Sequence, residues 1–170
     1  MTKNALEASL QTGHHADLAR LSGGWSGSVK VWFESDQLVS DGAVRGRIRG
    51  VLDGRFVIHE YEAKYMGEIE HGVAIHGYHL DARRYESAWI DSFHTGTQIM
   101  VSRGVPKASL HAVTGSYGAD NHEGAGGWRT EIEMKSTDRL LIQMFNVTRE
   151  GNESLAVEFD YRRVHGARPV

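Results

Sequence analysis

A two-residue period governs the chain from Trp25 almost to its end, and a chain patterned this way folds as strands with one covered face. In "WSGSVKVWF", residues 25–33, Trp25, Gly27, Val29, Val31 and Phe33 share one face, and Ser26, Ser28, Lys30 and Trp32 the other. "GAVRGRIRGVL", residues 42–52, sets Val44, Gly46 and Ile48 against Arg45, Arg47 and Arg49. Asp53-Gly54 then gives a two-residue hairpin signal, and "RFVIHEYEAKYM", residues 55–66, is the returning strand. Runs at 70–79, 84–93, 97–104, 109–117, 127–135, 139–147 and 155–164 bring the strands to about ten. "GADNHEGAGG", residues 118–127, is a loop. Residues 4–11 and 14–21 carry only weak helical spacing, which Gly23-Gly24 ends.

Short antiparallel strands in one small domain must hide their edges, and closing into a barrel does so. The expected fold is therefore all-β: a single closed antiparallel β-barrel of about ten strands with a short N-terminal helical segment. A two-sheet sandwich is the alternative. One domain is expected over residues 1–170, helical or irregular over 1–23, barrel over 24–165 and a short tail over 166–170. The 20 glycines and two prolines suit strands joined by tight turns.

Composition closes off several functions. Without cysteine there is no disulfide, thiolate chemistry or cysteine metal site. A formal net charge of -3 gives no general electrostatic case for nucleic acid or an anionic membrane. The N-terminus lacks the continuous apolar core of a signal peptide, and no run reaches the length of a membrane-spanning helix. The expected location is cytoplasmic.

Several separated stretches carry a family likeness: "LARLSGGWSGSVKVWFE", "GVLDGRFVIHEYEAKYMGE", "GVAIHGYHLDARRYESAWIDSFHTGTQIMVSRG" and "FDYRRV". In order, spacing and the W-I-D-S core the chain resembles DUF1579, a bacterial family of uncharacterised proteins, from about Leu18 to Val164. The resemblance implies a calycin-like barrel, similar to lipocalins, fatty-acid-binding proteins and the haem-binding nitrobindins. It implies no biochemical role. The chain departs from the family pattern at His79, where an aspartate is common, and in its glycine-rich 118–127 loop.

The stretch "RYESAWIDSFHTG", residues 84–96, brings Asp91, Ser92 and His94 close in sequence. As a strand it puts Tyr85, Ser87, Trp89, Asp91 and Phe93 on one face, and Ser92 and His94 on the other. A local Ser92–His94–Asp91 triad is therefore geometrically poor unless a bulge intervenes. Asp91 points inward, where it is either a ligand acceptor and base or a satisfied structural carboxylate; the structural role is favoured. His71 and His79 share a strand face about 26 Å apart, too far for one ion, and His76 lies opposite, so no metal site is expected within that strand. His59 and His76 are favoured as core histidines, with an axial haem role as the alternative. Arg45, Arg47 and Arg49 read as a solvated stripe opposite Glu60 and Glu62.

The leading functional expectation is a small, partly apolar ligand in an open lumen of several hundred Å3, within the roughly 300–1,000 Å3 usual for such sites. Its lining would be Trp89, Asp91, Tyr78, His76, His59, Tyr61 and Trp128. The alternatives are an enzyme using Asp91 or an inward histidine as acid or base, a haem-binding barrel, and a non-catalytic module. The last would self-associate through an exposed Trp32, one route to a homo-oligomer.

Overall fold

The computed structural model describes residues 3–34, 37–107, 111–117 and 126–166. Two short helices, α1 (Lys3–Thr12) and α2 (His14–Arg20), lead into β1 (Gly23–Glu34), β2 (Gln37–Val51), β3 (Phe56–Tyr65), β4 (Glu68–His79) and β5 (Arg84–Asp91). There follow β6 (Met100–Gly104), β7 (His111–Tyr117), β8 (Gly126–Ser136), β9 (Arg139–Val147) and β10 (Glu153–Arg163). Each strand pairs antiparallel with its neighbours in sequence, and β1 closes the ring on β10 from Trp25↔Arg163 to Val31↔Val157. The result is a closed ten-stranded barrel. Among the described residues the β6–β7 joint is the thinnest, registered only at Arg103↔Thr114.

The alternation read from the sequence sorts the side chains. Val57, His59, Tyr61, Ala63 and Tyr65 of β3 are buried while Phe56, Glu60, Glu62 and Lys64 are exposed. Arg45, Arg47 and Arg49 lie outward, with Arg45 facing Glu62, Arg47 facing Glu60, and an Arg49–Glu60 ion pair at 3.4 Å. The helical segment seals one end: Leu18 and Leu21 are buried, and the Trp25 indole donates to the Leu21 carbonyl at 2.9 Å. Among the described residues no helix is long and apolar enough to cross a membrane.

Three local readings change. The β2–β3 connection spans four residues, 52–55, because Leu52, Asp53 and Gly54 all take left-handed backbone and the ladder ends at Val51↔Phe56. The run 97–104 yields strand only from Met100, since a turn occupies the residues after Asp91. Trp32 is half-buried rather than exposed, because the β1–β2 register shifts on either side of it. Of the 118–127 loop, residues 118–125 lie outside the described residues, and Gly126 and Gly127 open β8.

Aromatic rings fill much of the interior. Tyr61 packs edge-on against Phe159 at 5.1 Å, and Phe159 against Tyr161 at 5.7 Å. Tyr61 also lies directly over Gly72, its cross-strand partner, where any Cβ would overlap the phenol ring. Replacing Gly72 by valine should therefore displace a fully packed ring and cost about 1–3 kcal/mol, the usual penalty of overpacking. Chemical denaturation of the variant measures it; unchanged stability would contradict this account of the Tyr61 layer.

Candidate functional site

The seven lining candidates divide among three levels of the barrel. Tyr78, half-buried, stands at the helix-sealed end, its ring 4.1 Å from His14 and 5.2 Å from Tyr85. His59, Tyr61 and His76 occupy the centre. Trp89 also lines that central space and stacks on Trp128, which lies with Asp91 toward the opposite mouth. Among the described residues the seven do not line one continuous cavity: the central space amounts to about 20 Å3, room for a single water.

The centre is held by hydrogen bonds between inward side chains. His59 Nε2 lies 3.2 Å from the Tyr161 hydroxyl. His76 Nδ1 lies 2.7 Å from the Ser87 hydroxyl, which is 3.3 Å from His111 Nε2. The second nitrogen of His111, Nδ1, is buried with no partner among the described residues. Burial pushes His59 down to about 3, helped by the nearby His76, and His76 to about 4. Burial and the same His76 hold His111 well below the ordinary histidine range. These three are neutral core imidazoles, and a space of one water beside them has no room for a tetrapyrrole. The sequence places Ser87 on the inward face of "RYESAWID" without a role, and His111, an inward member of "HAVTGSY", is the residue that its reading misses.

At the mouth, β5 ends on Asp91, whose side chain is 1% exposed. One carboxylate oxygen accepts the backbone N–H groups of His94 and Thr95, each at 2.7 Å. The Asp91 N–H donates to the Thr95 hydroxyl at 2.8 Å, and that hydroxyl donates back to the Asp91 carbonyl at 3.0 Å. A carboxylate used this way caps a tight turn. The turn corrects the expected orientation of His94. Instead of continuing outward along a strand, its ring folds back to place Nδ1 2.8 Å from the other Asp91 oxygen. Ser92 does point away: it accepts the His71 N–H at 2.9 Å and donates to Glu70. Asp91 and His94 meet; Ser92 joins neither.

The His94 ring, 16% exposed, rests 5.7 Å from Trp89 and 5.4 Å from Trp128. The two indoles stack at 5.6 Å with 21° between planes. Trp89 donates to the Tyr61 hydroxyl at 3.0 Å, whereas the Trp128 N–H is buried without an acceptor among the described residues. Beside them lies a pocket of about 180 Å3, open on one side, with Val31, Met100, His94, Trp128, Tyr117 and Asn146 in its wall. The Tyr117 hydroxyl donates to Asn146 Oδ1 at 3.2 Å. Since Asp91 can only accept, His94 Nδ1 carries the proton, and in the neutral ring Nε2 keeps its lone pair.

Among the described residues no three histidines, aspartates or glutamates gather in a way that could hold a metal ion. A family profile described as "Protein of unknown function (DUF1579)" matches residues 11–163. Comparison with curated proteins gives no match.

The neutral histidines fix the sign of the acid response. In the unfolded chain they take up protons near 6.5, but folded His59 and His76 resist down to about 3 and 4. Below 6.5 the unfolded state binds more protons, so stability is full above that value and falls as pH drops. Three such groups remove up to about 4 kcal/mol per pH unit, at about 1.4 kcal/mol each. Urea midpoints between pH 7 and 5 should fall steeply, and His59→Gln should flatten the dependence by about one third. A flat profile in wild type would show that these rings are protonated in the folded barrel.

Proposed function

The chain belongs to the DUF1579 family of proteins of unknown function, and we propose that it binds a small, partly apolar molecule at the open mouth of its barrel. The observation that carries this reading is the 180 Å3 pocket flanked by an imidazole that a buried carboxylate holds in one orientation. Orienting a histidine costs a desolvated charge, which the turn at Asp91 offsets through two backbone N–H bonds. A roughly 150 Å3 apolar cavity accepts benzene, so the pocket suits about one ring or a short chain. Val31 and Met100 would meet its apolar part and His94 Nε2 a hydrogen-bond donor. The unpartnered Trp128 N–H beside it adds a donor that gains from an acceptor, since a buried donor left unpaired costs about 1–3 kcal/mol. On this reading the ligand meets Trp128, one of the seven residues expected to line the lumen, at the mouth of the barrel.

Native mass spectrometry of freshly purified protein tests this directly. Wild type should retain a low-mass molecule that Met100→Trp, which fills the pocket, does not. Indole N–H resonances provide the second reading: single-ring probes such as benzoate and phenol should shift the Trp128 signal in wild type and leave it unmoved in Met100→Trp. No retained molecule and no shift would refute binding at the mouth.

The 2.8 Å Asp91–His94 contact favours one further reading, in which the bound molecule is also transformed. His94 Nε2 would take or give a proton, and Asp91 would hold the ring and steady its charged form. For any turnover detected on the retained molecule, His94→Ala should lower kcat by about 10²–10⁴-fold. Asp91→Asn keeps an acceptor for the turn while removing the charge, and should reduce kcat with the fold intact. Binding without turnover in wild type would leave the protein a binder only.

A further inference from the structure

Three nitrogen groups in the wall of the mouth pocket have hydrogen-bonding capacity left for a ligand. The Trp128 N–H is buried without an acceptor among the described residues. The Asn146 side-chain oxygen accepts from the Tyr117 hydroxyl at 3.2 Å, which leaves its NH2 group to donate. His94 Nε2 is the third, on a ring fixed by the 2.8 Å contact of Nδ1 with Asp91. Val31, Phe93, Met100 and Ala156 make the wall otherwise mainly apolar. Among the described residues it holds no lysine or arginine, so the one full positive charge it can offer is a proton on His94.

Resting on the binding at the mouth set out above, we propose that this pocket takes a monocarboxylic acid of one ring or a short chain, together with one proton. The ligand enters as its carboxylate. The proton bonds to His94 Nε2, the Nδ1–H bond to Asp91 stays, and no bond to carbon forms or breaks. The imidazolium then lies between two carboxylates, Asp91 behind it and the ligand in front, each accepting a charge-assisted hydrogen bond. An ionised carboxylate only accepts, through two oxygens, so it can serve His94, Trp128 and Asn146 together. A phenol offers a single oxygen to the same three groups. A primary amide brings a second N–H, for which the wall keeps only the Tyr117 oxygen, already engaged with Asn146. A second carboxylate on the ligand would find no further cation in the wall, which limits the class to one acid group.

The proton sets the pH response. Of the side chains packed on the His94 ring, Trp89, Phe93 and Trp128 carry no charge. Tyr65, 5.8 Å away, is held neutral far above the ordinary tyrosine range by burial and by the nearby Asp91 and Glu70. Asp91 is left as the charged group against the ring among the described residues. Above neutral pH a simple carboxylic acid is ionised in solution. Each bound molecule then draws its proton from solvent, and linkage makes the affinity fall about tenfold per pH unit.

Isothermal titration calorimetry at pH 7.5, run in phosphate and in Tris, tests this with benzoate, benzamide and phenol. The difference in heat between the two buffers counts the protons taken up. Wild type should bind benzoate with one proton, about tenfold or more tightly than either neutral probe. From pH 7.5 to 8.5 the benzoate affinity should fall about tenfold. His94→Gln should abolish the proton uptake and weaken benzoate about tenfold or more, while changing benzamide binding by no more than about threefold. Trp128→Phe, which keeps a ring against Trp89 and loses the N–H, should weaken benzoate by about tenfold with the proton still taken up. If His94→Gln fails to fold, the wild-type measurements decide alone. Benzamide or phenol bound as tightly as benzoate, or benzoate bound without proton uptake, would overturn the acid and leave the mouth site standing. No binding of any of the three would refute the mouth site itself, and the acid with it.

Discussion

Closure of β1 on β10 is the constraint under which everything else is arranged. A sheet that closes on itself has no unpaired edge, but it commits every second side chain to one sealed volume. Ten strands enclose more space than aliphatic side chains alone would fill, and the interior answers with rings: Trp25 from β1, Tyr61 from β3, and Phe159 and Tyr161 from β10. The polar atoms those rings and the histidines bring inside must then be matched to one another. The Trp89–Tyr61, His59–Tyr161 and His76–Ser87–His111 bonds do that. Matched polar groups make a specific core; His111 Nδ1 is the exception in this network among the described residues, and the side chains leave the centre with space for one water.

The proposed binding site consequently lies where the filling stops. One end of the barrel is sealed by the helical segment, with His14 bonded to the Tyr85 hydroxyl at 3.0 Å and Leu18 buried beneath it. At the other end the strands give way to a turn, and the turn is shaped by a carboxylate. Asp91 organises the backbone and orients His94 with the same two oxygens, so fold and candidate chemistry meet in one side chain.

The sequence disclosed what period two can disclose. Which residues of β3 and β5 face inward follows from parity alone, so His59, Tyr61, Trp89 and Asp91 were placed correctly before any coordinates. Parity fails where extension fails. His94 was assigned outward by counting along a strand that in fact ends at Asp91; the signal that could have corrected it is the Asp-x-x-His-Thr spacing, in which a carboxylate can cap the N–H groups three and four residues on. The volume of the lumen was hidden for another reason. Parity tells which side chains point in, but not whether those from separate strands meet inside, and here Tyr61 of β3 reaches Phe159 of β10 past the two strands between them.

The stacked pair of Trp89 and Trp128 has a consequence of its own. Two indoles so close and so nearly parallel share their electronic excitation, and in a chiral setting such coupling produces a paired positive and negative band in circular dichroism. The other two tryptophans, Trp25 beneath the helices and Trp32 on β1, stand outside that pair. The barrel thus carries a native optical gauge at its rim, sensitive to the tilt between two rings, that reads the state of the opening without any attached dye.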